Sequence, residues 1–221
     1  MKRVISPTEA VEMIPDGASV MIGGFMGVGS PHRIIAEIVR QGRKDLTVIS
    51  NDAGRPGFGV GQLVASGLIR RLIASHIGLN PEAQRQVMSG EIEAELCPQG
   101  TLAERIRAGG FGLGGVLTST GIGTIVAEGK RIVEVDGMQY LLEKPLRADF
   151  ALIAAHRSDY RGNLEYSLTA RNFNMVMATA GRTVFAEPEH IVPTGAIPPD
   201  AVATPFVCVH HIIARGQIDG R

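Results

Sequence analysis

The chain has 221 residues, 44% hydrophobic and 20% charged, which is enough apolar material for one large α/β domain and excludes a disordered chain. Lysine plus arginine number 22 and aspartate plus glutamate 22, so the formal net charge is zero, which argues against a dedicated nucleic-acid binder and mildly favours an oligomer. No apolar run reaches membrane-spanning length, residues 1–7 lack a signal-peptide core, and Cys97 and Cys208 match no zinc or redox spacing; the expectation is a cytoplasmic protein with buried free thiols.

Ser6-Pro7-Thr8-Glu9 opens a short helix with a cap, a proline at the first position and an acid in the first turn. Pro15-Asp16-Gly17 ends it. Ser19–Ile22 is an apolar run with the composition of a buried strand. Gly23, Gly24, Gly27 and Gly29 then form a loop, with Phe25 among them, large enough to close over a ligand. Pro31 suits the first position of a helix capped by Ser30. Strand, glycine loop and helix start is how α/β proteins present backbone N–H groups to an anionic ligand. A tight turn that needs glycine for geometry alone is the competing reading. The run is neither a P-loop, since no Lys-Ser/Thr follows, nor a dinucleotide fingerprint, since the glycine spacing is wrong.

Helical spacing over 32–41 ends at Gly42, and Leu46–Ser50 is a strand running into the polar elbow Asn51-Asp52. A glycine-rich loop over 54–61 precedes a helix near 61–67. Residues 72–75 form a strand ending in His76-Ile77-Gly78, and Asn80 caps a helix through Met88. Residues 91–96 form a strand followed by Pro98-Gln99-Gly100-Thr101 and an amphipathic helix over 102–108. Strands alternating with helices imply a mainly parallel sheet with helices on both faces, and ligands on such sheets sit beyond the carboxyl ends of the strands. The elbows at 23–29, 51–52, 76–80 and 98–101 are expected to build one site there.

The stretch 109–148 reads as an insertion on this α/β core, with Asp136-Gly137 between Arg131–Val135 and residues 139–142 as a hairpin signal. Strands are expected at 150–154, 183–186 and 208–213, and a helix from Arg171-Asn172-Phe173-Asn174 through Met177. Residues 188–205 hold five prolines and should run extended over the surface. One domain over 1–221 is expected.

Candidate chemistry is sparse. Gly110, Gly112 and Gly115 fit G-x-G-x-x-G but follow a helix, which rules out a dinucleotide site. Glu91, Glu93 and Glu95 alternate, which suits a charged sheet edge better than paired catalytic carboxylates. His32, His76, His156 and His190 are scattered without ligand spacing, so no metal is expected. Arg147, Arg157 and Arg171 suit phosphate or partner contacts and surface ion pairs equally.

From Asp16 to Pro31 the chain resembles the signature of the α subunit of family I coenzyme A transferases, through Asp16, Gly17, Val20-Met21-Ile22, Gly23-Gly24-Phe25, Gly29 and Pro31. Residues 98–110 and 171–174 also resemble that subunit. The resemblance covers nearly the whole chain. It implies a three-layer α/β sandwich and a substrate wall made by Gly24, Phe25, Asn51, Gly78 and Gln99, with Gly23, Gly27 and Gly29 supporting the loop. It also implies no permanently bound cofactor, a coenzyme A thioester as substrate, and a β-subunit partner in an αβ or α2β2 assembly. In that family a glutamate in a Ser-Glu-Asn-Gly motif of the β subunit forms a glutamyl–CoA thioester. No glutamate here precedes Asn-Gly, so the attacking carboxylate is expected on the partner. The alternatives are a self-contained sugar-phosphate isomerase or deaminase, which would need its own acid/base carboxylates and a phosphate loop, and a ligand sensor, which would usually carry a DNA-binding module.

Overall fold

The computed structural model describes residues 1–215 of the chain, so the last residues of the single domain expected over 1–221 lie outside it. Its strands are β1 (Arg3–Ile5), β2 (Ser19–Ile22), β3 (Leu46–Ser50), β4 (Ile69–Ala74), β5 (Glu93–Leu96), β6 (Val116–Thr118), β7 (Arg131–Val135), β8 (Met138–Glu143), β9 (Ala148–Asp159), β10 (Leu164–Glu165), β11 (Gly181–Val192) and β12 (His211–Ile213). Its α-helices are α1 (Pro7–Glu12), α2 (His32–Gln41), α3 (Gly61–Ala65), α4 (Pro81–Met88), α5 (Gln99–Gly110) and α6 (Asn174–Ala180).

The main sheet runs β1-β12-β11-β9-β2-β3-β4-β5 with every neighbouring pair parallel, and β10 adds to β9 antiparallel. Residue alternation explains the three layers. Val20, Ile22, Val48, Leu72, Leu152 and Phe185 face one core with residues of α1 to α4. Met21, Ile49, Ile73, Ala151, Ile153 and Val184 face the other with α5 and α6. Burial on both faces is why β2 reads as an unbroken apolar run rather than an alternating one. Each fully buried side chain such as Ile22 contributes about 1.5–3 kcal/mol of apolar transfer.

Several expectations need correction. The strand expected over 150–154 extends to Ala148–Asp159, and that over 183–186 to Gly181–Val192. Part of the proline-rich segment therefore lies in the sheet: Pro188 pairs with Ala155. β12 reaches only Phe185 and Ala186, so Pro188 has a strand on one side alone, where its missing N–H is tolerated. The last strand begins at His211, and Cys208 lies in a 3-10 turn, half-buried rather than buried like Cys97. Burial raises the pKa of both thiols. The short strands β1 and β6 were missed; at three residues each they carry too little periodicity to read.

A separate antiparallel sheet, β6-β8-β7, lies inside 109–148 and includes the hairpin expected at Asp136-Gly137. Glu143 of β8 ties it to the main body. Its carboxylate is 2% exposed, takes Lys130 Nζ at 2.6 Å and lies 3.8 Å from Arg105 Nε of α5. No helix among the described residues is long and apolar enough to cross a membrane.

Candidate active site

Four adjacent strands, β2, β3, β4 and β5, end on one edge of the sheet. The loop after β2 is held from several directions. Gly23 donates its N–H to Leu152 O at 2.9 Å. A Cβ at Gly23 would stand 1.9 Å from Asn174 Oδ1, and one at Gly24, with φ +119°, would stand 2.0 Å from Ser30 Oγ, so both positions require glycine. Phe25 and Val28 exchange backbone hydrogen bonds of 3.0 and 2.9 Å, which turns the chain and leaves the Phe25 ring 39% exposed. Gly27 lies at the tip of that turn and Gly29 packs against Ala170.

Most of the loop's backbone N–H groups are spent inside the protein, and only those of Gly27 and Gly29 have no hydrogen-bond partner among the described residues. Gly24 donates to Asn172 Oδ1 at 3.1 Å, Met26 to Asp52 Oδ2 at 2.8 Å, and Ser30 to Gly27 O at 3.3 Å. With Gly23, Phe25 and Val28, these donors are already used inside the protein. The glycines serve shape and close approach. Ser30 is also not the cap of α2, because its hydroxyl donates to Gly23 O at 3.0 Å and Pro31 takes the cap position. The capping group is Glu187 of β11, which accepts from Arg33 N and Ile34 N at 3.0 and 2.9 Å. Burial raises the pKa of Glu187, and these N–H donors together with the Arg33 charge oppose the rise.

The next elbow is buried. Asn51 is 1% exposed and Asp52 5%. Asp52 Oδ2 accepts from Asn51 Nδ2 at 2.7 Å, and Oδ1 accepts from Gly54 N at 2.7 Å. Asn51 Oδ1 has no hydrogen-bond partner among the described residues. Such an unpaired acceptor costs about 1–3 kcal/mol in a folded interior. The backbone oxygen of Asn51 accepts from Ser75 N at 2.9 Å and Ser75 Oγ at 2.6 Å. Ser75 Oγ also lies 3.5 Å from Gln99 Oε1 and 3.2 Å from His76 Nδ1, and Asp52 bridges His76 along the backbone. Contacts therefore run without a break from Met26 through Asp52 and Asn51 to Ser75 and Gln99.

Gln99 is the first residue of α5 and is exposed, while Gly78 is exposed on the neighbouring loop. A Cβ on Gly78 would meet nothing within 4 Å, so no packing demands glycine there. Its loop is tied to the Asn51 elbow by Asn80, whose amide donates to Ala53 O at 2.9 Å and whose Oδ1 caps α4. Within these strand-end loops the one carboxylate is Asp52.

Sequence reading missed the residues that hold the site from a distance. Asn172 Nδ2 donates to Val28 O at 3.0 Å, and Asn174 Nδ2 donates to Gly29 O at 2.9 Å. The resemblance of 171–174 to the transferase subunit points to structural support of the site or of a subunit interface, without saying which atoms of the glycine loop are held. The histidines also differ from expectation. Parallel pairing of β9 and β11 brings ligand atoms of His156, Glu189 and His190 within 4.8 Å of one another, with His156 Nδ1 2.8 Å from Glu189 Oε2. Spacing along one strand cannot show a cluster made across two. The carboxylates of the edge strand β5 form a charged edge: Glu93 and Glu95 reach Arg71 at 3.6 and 2.9 Å, while Glu91 precedes β5 and pairs with Arg85.

Comparison with known proteins points to one family. The sequence profile "Coenzyme A transferase" matches residues 4–215. The alpha subunit of the acetate CoA-transferase of Escherichia coli K12 is 49% identical over 215 residues, covering 97% of this chain and 98% of that one. The alpha subunit of the acetoacetyl-CoA:acetate/butyrate CoA transferase of Clostridium acetobutylicum is 46% identical over 198 residues, covering 90% and 91%. The crystal structure of an acyl-CoA transferase from Escherichia coli O157:H7, a thioester complex with CoA, shares the fold with a TM-score of 0.86 at 24% identity. That alignment covers 96% of this chain but 47% of the other, so the present chain spans about half of it. The chain belongs to the coenzyme A transferase family.

Proposed function

We propose that this chain is the α subunit of a cytoplasmic transferase that moves CoA between a short-chain acyl-CoA and a free acid such as acetate or acetoacetate, with the attacking glutamate supplied by a β subunit. The observation that carries this reading is the strand-end edge itself: Gly24, Phe25, Asn51, Gly78 and Gln99 stand on linked loops whose single carboxylate is spent on three N–H donors. A covalent route needs a free carboxylate, and here it has to come from outside these loops. Exposed Phe25, Val28, Phe58, Leu79 and Leu96 on or beside the same loops suit burial against that partner.

In the reaction, a carboxylate oxygen of the partner's glutamate attacks the thioester carbonyl, and the C–S bond breaks to release CoA thiolate. The thiolate then attacks the glutamyl carbonyl of the mixed anhydride, which frees the first acid and leaves a glutamyl thioester. The second acid reverses both steps. CoA acts as substrate throughout. This chain contributes placement: the Gln99 amide nitrogen donates to an oxygen of the acyl or acid portion, the Asn51 Oδ1 left free by Asp52 accepts from an amide N–H of the CoA arm beside it, Phe25 covers the acyl group, and Gly24 and Gly78 keep the backbone low beneath it. The stand-alone isomerase, deaminase and sensor readings have no observation in their favour.

The test is reconstitution. Co-expressed with the β chain encoded beside it, the protein should form a heteromer, whose αβ or α2β2 composition native mass measures, and exchange CoA between acetyl-CoA, succinyl-CoA or acetoacetyl-CoA and free acids. The chain alone should show none. Transfer by the isolated chain would refute the division of labour.

A further inference from the structure

Asp52 has no role in the reaction outlined above, yet it is buried at the junction of two site loops. Three donors converge on it: Met26 N–H and Asn51 Nδ2 on Oδ2 at 2.8 and 2.7 Å, and Gly54 N–H on Oδ1 at 2.7 Å. A carboxylate only accepts, so it dictates which end of the neighbouring amide faces it. The Asn51 nitrogen is turned to Asp52, and Oδ1 is left without a partner among the described residues. Folding alone disfavours that outcome. Met26, a non-glycine residue at φ +53°, is held by the same oxygen in a conformation it would otherwise avoid. One carboxylate thus fixes an amide on one loop and a strained turn on the next.

We infer that Asp52 is a positioning residue, presetting the Asn51 amide and the Met26 turn before substrate arrives. The inference rests on the reading of Asn51 as a substrate-side group. A double-mutant cycle in the heteromer tests it with Asp52→Ala, Asn51→Ala and both together, reading kcat/KM for CoA exchange. Each single change should lower kcat/KM by about 10- to 100-fold, and the loss in the double variant should be at least about 5-fold smaller than the product of the two single losses, the remainder being the Met26 turn. Losses that multiply would overturn the inference, as would Asp52→Ala with wild-type kcat/KM. Should Asp52→Ala not assemble, Asp52→Asn takes its place under the same criterion. Hydrogen–deuterium exchange of the assembled protein gives an activity-free readout. In the Asp52 variant the Met26 amide should exchange about tenfold faster while residues 148–159 stay unchanged; unaltered exchange at Met26 would overturn the inference. A wild-type heteromer that moves no CoA would instead sink the proposed function, and the exchange measurement would still decide the role of Asp52.

Discussion

The glycine loop at 23–30 and the hairpin of β7 and β8 are both tight turns, but they are specified differently. The hairpin is local. Asp136 and Gly137 take φ of 51° and 73°, the right-twisting pair that closes two-residue loops, and β7 and β8 pair in register on either side. The glycine loop is set from afar. Asn172 and Asn174, more than a hundred residues away, bond Gly24, Val28 and Gly29, while Asp52 bonds Met26 and Glu187 caps the helix that follows. A turn that only connects strands can be written in two residues. The glycine loop is fixed by many partners, and most of its own donors are consumed in the process.

Substitutions that sharpen this contrast separate activity from stability. The largest effect is expected for Gly23→Ala, whose Cβ would overlap Asn174 Oδ1, itself bonded to Ala154 N at 3.0 Å. Thermal or urea unfolding should show a loss of about 3 kcal/mol, and CoA exchange by the heteromer should largely vanish. Glu187→Ala comes next: freeing Arg33 N and Ile34 N should cost about 2 kcal/mol by urea titration and lower kcat/KM, because α2 begins where the loop ends.

In the inserted sheet, Lys130→Met leaves buried Glu143 with Arg105 alone at 3.8 Å. Stability should drop by about 1–2 kcal/mol, with exchange activity per folded heteromer unchanged. A large fall in kcat/KM there would break the contrast. Gly137→Ala, at positive φ in an exposed turn, should cost about 1 kcal/mol and leave kinetics alone.

The smallest effect is a pH dependence on α2. Hydrogen bonding from Arg40 holds Glu37 down to about 2, against its burial. A depressed carboxylate pKa gives stability that is present above the unfolded value and lost as pH falls toward the folded one. The acid limb between about pH 5 and pH 2 should therefore be shallower in Glu37→Gln, by on the order of 1 kcal/mol because Arg40 is well exposed. An unchanged acid limb would remove Glu37 from the account.

Legibility in the sequence follows the same division. Boundaries set by short-range chemistry read well: Leu46–Ser50, the Asn80 cap of α4, Gly42 after α2, and Asp136-Gly137. Boundaries set by sheet partners did not. β9 continues through His156, Arg157 and Ser158 because β11 lies beside it, and no property of those residues alone announces a strand. Within the site, the resemblance to the coenzyme A transferase α subunit pointed to Gly24, Asn51 and Gln99; residue types alone favour a turn-forming asparagine and a solvent-facing glutamine. The spending of the loop's N–H groups, the true cap of α2, and the His156–Glu189–His190 cluster depend on pairings across distant segments and were out of reach.

The position of Glu187 has a consequence for biogenesis. The carboxylate that completes the first turn of α2 is synthesised more than 150 residues after it, and β2 waits for β9 as its neighbour on one side. While the chain emerges from the ribosome, the glycine loop has its bonds to Asp52 and within itself but lacks those from Asn172 and Asn174 and the helix cap from Glu187. Contacts so distant along the chain slow folding. The crevice therefore takes its final form only once nearly all of the polypeptide has been made, and a prematurely terminated product would lack the far contacts that shape the loop.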